Sequence, residues 1–222
     1  MKKKIVVAVD GPAGAGKGTL CSILAKDFNL AYLDTGTLYR SVTYLMLKDG
    51  ADVNSESIAE KYAKNLTTED ALNLGASSEI RSSEVSANVA TVASYAKVRK
   101  ALREYQVNFA KNPPREKGGA ILDGRDIGTT ICPDADVKLF VNASPEVRAI
   151  RRQKQLAEKG EEVDLDTVLR QTIARDKKDQ MTSGTTLMAP EDSIIVRNDE
   201  NATIEDIVMA ASNEIMKAQG IL

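Results

Sequence analysis

Lys4-Ile5-Val6-Val7-Ala8-Val9-Asp10, followed at once by Gly11-Pro12-Ala13-Gly14-Ala15-Gly16-Lys17-Gly18-Thr19, decides the fold. The first part is a continuous apolar run of the kind buried on both faces in a parallel sheet. After the second part, apolar residues recur at helical spacing at Leu20, Ile23, Leu24 and Phe28. A glycine-rich stretch ending in lysine, set between a strand and a helix, is the context of a phosphate-binding P-loop. Its glycines let the backbone curl so that successive N–H groups point at phosphate oxygens. The helix that follows presents its positive end to the same anion. Gly11, Pro12, Ala13, Gly14, Ala15, Gly16, Lys17, Gly18 and Thr19 are therefore the expected cradle for ATP phosphates, with Lys17 reaching the β- and γ-phosphates. Gly18 stands where many P-loops carry Ser or Thr, which leaves a magnesium ion to Thr19, to waters, or to both.

Outward from this point, strands and helices alternate. A short strand is expected over Leu30 to Leu33 and a helix from about Thr35 to Lys48, ending near Gly50. From Ala51 to Ser83 the pattern weakens, with one helical stretch around Ser57 to Asn65; residues 51–83 are read as an insertion on the acceptor side. Glu84 to Lys111 reads as one long helix stopped by Pro113-Pro114. Further strands are expected over Gly119 to Asp123, Val137 to Asn142 and Ser193 to Arg197. Ser144-Pro145-Glu146 is a helix start, with serine as N-cap and proline in the first turn. Another helix is expected over Asp166 to Asp179, and Thr203 opens a terminal one. This order predicts an α/β, three-layer fold with a five-stranded parallel sheet, whose ligands gather at the carboxyl ends of the strands. The whole chain, 1–222, is read as one P-loop domain, with 148–180 as a lid.

Composition narrows the chemistry. The chain has 222 residues, 42% hydrophobic and 28% charged, with a formal net charge of −2, so no electrostatic draw toward nucleic acid or anionic membrane is expected. No apolar run approaches a membrane span, and the apolar start is too short for a signal peptide before Asp10 and the glycines intervene. Cys21 and Cys132 sit far apart among apolar neighbours and are expected as buried thiols, in keeping with a cytoplasmic monomer. Histidine is absent, which excludes Ser-His-Asp and Cys-His nucleophile systems and His-ligated zinc.

The arginines point to more than one phosphate. Transfer between two phosphates gathers negative charge that planar, permanently charged guanidinium groups suit. Arg148, Arg151 and Arg152 lie at i, i+3 and i+4 on one helical face, and are expected to close over ATP and exclude water. A phosphate acceptor also accounts for the missing histidine. Its second ionisation lies near pH ~6, so its oxygen is already an anion and needs no general base. Asp123, ending the apolar strand Ala120-Ile121-Leu122, is the expected magnesium carboxylate.

Several segments together resemble bacterial cytidylate kinases, a family of nucleoside monophosphate kinases. Besides the P-loop with glycine after lysine, they are Asp34-Thr35-Gly36-Thr37-Leu38-Tyr39-Arg40, Glu79-Ile80-Arg81 with Val98-Arg99, Asp123-Gly124-Arg125-Asp126-Ile127-Gly128-Thr129, and Arg175-Asp176-Lys177-Lys178-Asp179. The resemblance spans nearly the whole chain. It implies phosphoryl transfer from ATP with Mg²⁺ to CMP or dCMP. It places Thr35 and Arg40 on the acceptor nucleotide, Arg40 and Arg125 on its phosphate, and Arg99 and Asp126 at cytosine. It places Asp179 on the ribose and Arg175 on the phosphates. Asp126 could accept from the cytosine amine and would meet an oxygen in uracil. Three departures from the family pattern all bear on the acceptor: Thr182 replaces a further arginine, Ala90 replaces a serine near cytosine, and the insertion is shorter, so its small β-subdomain is expected to be reduced.

Two other readings fit the same loop. A P-loop kinase acting on a metabolite hydroxyl would need a carboxylate base, for which Asp34 or Asp126 could serve. A nucleotide-dependent switch would bind ATP without turnover. A guanine-specific Asn-Lys-x-Asp motif is missing, Asn198-Asp199 being a different pair.

Overall fold

The structure, a computed structural model, describes residues 4–158, 160–182, 189–200 and 202–222, with only the backbone given for 180–182. In chain order the elements are β1 (Ile5–Asp10), α1 (Lys17–Asp27), β2 (Ala31–Asp34), α2 (Thr35–Lys48), α3 (Glu56–Asn65), α4 (Thr68–Ala76), α5 (Ser83–Ser94), α6 (Ala96–Lys111), β3 (Gly119–Gly124), β4 (Val137–Asn142), α7 (Pro145–Ala157), α8 (Leu165–Thr182), β5 (Ile194–Arg197) and α9 (Ile204–Ala218). The sheet is five-stranded and parallel, in the order β2-β3-β1-β4-β5. The expected three-layer α/β P-loop fold is the one found. The chain divides into two compact units, one of residues 1–33 and 113–222 and the other of residues 34–112.

The first unit carries the sheet. β1 is central, paired with β3 on one side and β4 on the other. Its Ile5, Val7 and Val9 are fully buried, as a run without polar alternation requires. Leu20 and Leu24 of α1, Leu139 and Val141 of β4, and Ile207, Ala211 and Ile215 of α9 join them in one core. Each such leucine or isoleucine contributes roughly 1.5–3 kcal/mol by leaving water. The register sets up the chemistry. Val9 lies opposite Asp123 and Asp10 opposite Gly124, so β1 and β3 end together and their following loops leave the sheet side by side.

The second unit is helical among its described elements. α2 starts where expected, because the Asp34 carboxylate accepts the Gly36 N–H at 2.9 Å and caps the first turn. The stretch 51–83 lies within this unit and holds two helices rather than one. The second of these, α4, opens on a reciprocal capping box of Thr67 and Asp70 within a segment of weak periodicity. The long helix expected over Glu84 to Lys111 is instead α5 and α6, broken at Tyr95, whose ψ of 123° is extended. No glycine or proline marks that break. Tertiary partners make it: Tyr95 Oη donates to the Val53 carbonyl at 3.1 Å, and the Glu56 carboxylate accepts the Lys97 N–H at 3.1 Å in the first turn of α6. Both cysteines keep their thiols; Cys21 is buried as expected, whereas Cys132 is only half-buried.

Candidate active site

The P-loop forms between β1 and α1. Gly11 has φ of 145° and runs against β4 so closely that a Cβ there would stand 2.0 Å from the Val141 carbonyl oxygen, a space open only to glycine. Gly16, at φ of 94°, leads into α1 in the left-handed region, and a Cβ on it would stand 2.3 Å from Asn198 Nδ2. Gly18 and Thr19 lie exposed in the first turn of α1, where orphan N–H groups and the helix dipole favour an anion.

Lys17 is buried, and its Nζ donates to the carbonyls of Gly11 at 2.8 Å and Pro12 at 3.0 Å. Burial, then the positive charge of Arg125, bring its pKa down to about 7, against the opposite pull of Asp123 and Asp10. Arg125 reaches the same place from β3. Its NH1 donates to the Gly11 carbonyl at 2.9 Å and to the Gly124 carbonyl at 3.2 Å, and its Nε pairs with Asp179 of α8 at 3.0 Å. Two cations therefore converge on one carbonyl oxygen. Arg175 is exposed, but its head is crowded; burial and then Arg125 lower its pKa, Arg152 adds to this, and Asp179 and Asp176 oppose it. Like a guanidinium anywhere in a protein, it stays charged.

The three arginines of α7 go separate ways. Arg148 is 3% exposed. Its Nε donates to the Ala143 carbonyl at 2.9 Å and its NH1 to the P-loop carbonyl of Ala13 at 3.1 Å. Its NH1 and NH2 also grip Asp176 of α8 at 3.0 and 2.6 Å. Arg151 donates to the backbone and side-chain oxygens of Asn198 at 3.0 and 2.9 Å, and Asn198 Nδ2 donates to the Ala15 carbonyl at 2.8 Å. Arg152 alone is turned to solvent. Spacing placed the three on one face; the structure adds that Arg148 is hydrogen-bonded directly to the P-loop backbone and Arg151 is linked to it through Asn198.

Asp123 is 6% exposed at the end of β3. A Cβ on Gly18 would stand 4.0 Å from its Oδ2, so the carboxylate faces the first turn of α1 near Thr19. Among the described residues no group of three or more His, Cys, Asp or Glu gathers as a metal site. Magnesium is content with that, because it commonly takes one or two carboxylates and fills its octahedron with substrate phosphates and water. The oxygen donors Asp123 and Thr19 suit this hard cation.

In the second unit, Thr35 is buried at the start of α2. Arg40 NH1 donates to the Ile80 carbonyl and to Ser86 Oγ, both at 3.1 Å. Arg99 is half-buried on α6, and Ala90 half-buried on α5. The side chain of Thr182 lies outside the described residues.

The sequence profile described as cytidylate kinase matches residues 7–217. The chain belongs to the cytidylate kinase family. Among curated members named cytidylate kinase, one from Rhodopseudomonas palustris is 42% identical over 194 residues, 87% of this chain and 88% of that protein. Another, from Paramagnetospirillum magneticum, is 43% identical over 191 residues, 86% of this chain and 88% of that protein. A solved structure of shikimate kinase from Bacteroides thetaiotaomicron has a TM-score of 0.51 at 16% identity, covering 96% of this chain and 98% of that one, which speaks to fold alone. Family membership agrees with the resemblance read from the P-loop and from the Asp34–Arg40 and Asp123–Thr129 segments. Three residues near the site were given no role from sequence: Asp10, Asn198 and Asp176. Asp10 carried a visible signal, a carboxylate closing an otherwise apolar strand. Its Oδ1 accepts the Ile127 N–H at 2.8 Å and its Oδ2 the Gly128 N–H at 2.7 Å. Burial raises its pKa, while these two amides pull it back. Asn198 and Asp176 are tied in by contacts distant in sequence, which no local pattern shows.

Proposed function

We propose that the chain transfers the γ-phosphoryl group of ATP to CMP or dCMP, giving ADP and CDP or dCDP without a covalent enzyme intermediate. One observation carries the phosphoryl chemistry: Lys17 from the start of α1 and Arg125 from the end of β3 both donate to the Gly11 carbonyl. That arrangement wants a polyphosphate. Family membership supplies the cytidine acceptor.

On this reading the amides of Gly11 to Thr19 hold the ATP phosphates, with Lys17 on the transferring group and Arg152 and Arg175 on the donor side. Arg125 and Arg40 take the acceptor phosphate, Thr35 and Asp179 the nucleoside, and Arg99 and Asp126 the cytosine edge. Arg148 and Arg151 act by bracing the loop. Residues 148–180 serve as the lid that keeps water from the transferring phosphoryl group, and 51–83 belongs to the acceptor side. Thr19 and Asp123 would hold Mg²⁺, which when bound offsets phosphate charge and polarises phosphoryl oxygens. Nucleotides are the partners, and the protein acts as a cytoplasmic monomer that needs neither nucleic acid nor membrane. No helix among the described residues is long and apolar enough to cross a bilayer.

Rates with CMP, dCMP, UMP and AMP, followed by coupled ADP release, test this directly. CMP or dCMP should lead the series; UMP or AMP outpacing both would overturn it. Asp126→Ala should lower CMP use by about 100-fold, the scale for losing a base-reading hydrogen bond, and UMP use far less. An equal loss for both nucleotides would remove Asp126 from the cytosine edge.

A proton should also enter with ATP. Free Lys17, at about 7, is mostly neutral at pH 8. Phosphate anions beside it favour the ammonium, so binding raises the pKa and takes up a proton above pH 7, but little below pH 6 where the amine is already charged. Calorimetry at pH 8 in buffers of different ionisation enthalpy should report uptake approaching one proton, and Lys17→Met should abolish it.

A further inference from the structure

We infer that Asp10 is a positioning residue for acceptor selection: its carboxylate ties the loop that carries Arg125 and Asp126 to the strand that feeds the phosphate cradle. The inference rests on the acceptor reading given above. Asp10 is the last residue of β1, immediately before Gly11, and is 2% exposed. Its two oxygens take one backbone amide each, from Ile127 and Gly128, which open the π-helical turn Ile127–Ile131. Asp126 caps that turn, its own carbonyl accepting the N–H groups of Thr130 at 2.9 Å and Ile131 at 3.2 Å.

Asp126 is thereby bracketed. On its N-terminal side the chain is held by the ladder that sets Gly124 opposite Asp10. On its C-terminal side it is held by the carboxylate of the same Asp10. One residue therefore fixes both ends of the short segment Gly124-Arg125-Asp126-Ile127, and fixes it relative to Gly11. Gly128 makes the close approach possible, since a Cβ there would already stand 3.4 Å from Asp10 Oδ2 and 3.3 Å from the Lys138 side chain. Among the described residues the hydrogen bonds of the Asp10 carboxylate go to these two backbone amides, and its charge also acts on Lys17 and Asp126 nearby. It acts through the placement of Arg125 and Asp126, where a displacement of about 1 Å can cost about 100-fold in rate.

Asp10→Asn keeps the shape but replaces one acceptor oxygen with an NH₂ group that would face a backbone N–H, leaving two donors opposed. The variant should fold and should keep its KM for ATP within about threefold. Its KM for CMP should rise by about tenfold and its preference for CMP over UMP should fall by about tenfold, the range for a mispositioned polar contact. A lowered melting temperature with the CMP KM and preference unchanged would mean a purely structural role and would overturn the inference. The unaltered enzyme is assayed alongside. If it fails to phosphorylate CMP, the acceptor reading is at fault; if it phosphorylates CMP and the variant matches it, this inference alone is wrong. Should Asp10→Asn not fold, hydrogen exchange in the unaltered protein decides. The Ile127 and Gly128 amides should be strongly protected, and exchange at the rate of an open peptide would overturn the clamp.

Discussion

Lys17→Ala should reduce turnover with ATP and CMP by about 1,000-fold, the scale for removing a charged group from a developing phosphoryl transition state. The reasoning is local. Lys17 is the buried cation of the loop, with its amine within hydrogen-bond reach of the carbonyls that frame the cradle. Holding an ammonium there costs desolvation and is opposed by Arg125, which is why the free amine titrates near 7. An arriving phosphate offsets both penalties, and in the transition state charge is spread over the equatorial oxygens of the transferring group within reach of the amine. Truncation should therefore lower kcat more than it weakens ATP binding, since the loop amides and the α1 dipole remain. Steady-state kinetics with ATP titrated against saturating CMP would check this. A variant within tenfold of the unaltered enzyme would contradict the role given to Lys17.

Arg125→Ala should be nearly as damaging to turnover, by about 100- to 1,000-fold, while ATP affinity changes by only a few-fold. Arg125 reaches the Gly11 carbonyl from the end of β3, and in the function proposed above it takes the acceptor phosphate. Removing it also takes away the second-largest influence holding the Lys17 pKa down. The amine of the variant should titrate higher, and proton uptake on ATP binding at pH 8 should shrink. That shift reports how close the Arg125 charge lies to Lys17, and the split between turnover and ATP affinity reports its part in transfer. The result that would displace Arg125 is the reverse pattern, with ATP binding lost and turnover at saturation kept. Its Asp179 partner gives a further check on the pair. Both side chains are about one-quarter exposed, at 25% and 26%, so the ion pair itself contributes little stability and either group can be released to a substrate.

The fold was legible where the sequence repeats a local rule. The apolar run into Asp10 and the serine-proline start at Ser144 each carry their own signal, and strand β1 and helix α7 stand where those signals place them. The break at Tyr95 was not legible because its cause is a carbonyl from residue 53 and a carboxylate from residue 56, both distant in sequence. α4 was legible in principle through Thr67 and Asp70, but a polar segment with weak periodicity hid it. At the site, residue types and motif order pointed to Lys17, Asp123 and Arg125, and the β1–β3 register brings the two strand ends that precede them side by side. The division of labour on α7 was hidden. Helical spacing says that Arg148 and Arg151 share a face, but only the packing of α8 and β5 says that Asp176 and Asn198 claim them. Asp10 shows the converse case, a residue with an evident local oddity whose meaning depends on two amides more than a hundred positions away.

The central claim is that one constellation of amides and cations draws two nucleotides together by their phosphates. Its most direct test is the affinity of a linked analogue, adenosine and cytidine joined 5′ to 5′ through five phosphates, measured by calorimetry against ATP and CMP separately. Joining the halves makes the second binding event intramolecular, so the analogue should bind at least about 100-fold more tightly than either nucleotide. Lys17→Ala and Arg125→Ala should each remove most of that gain. An analogue that binds no better than ATP alone, or one whose gain survives both substitutions, would contradict the account.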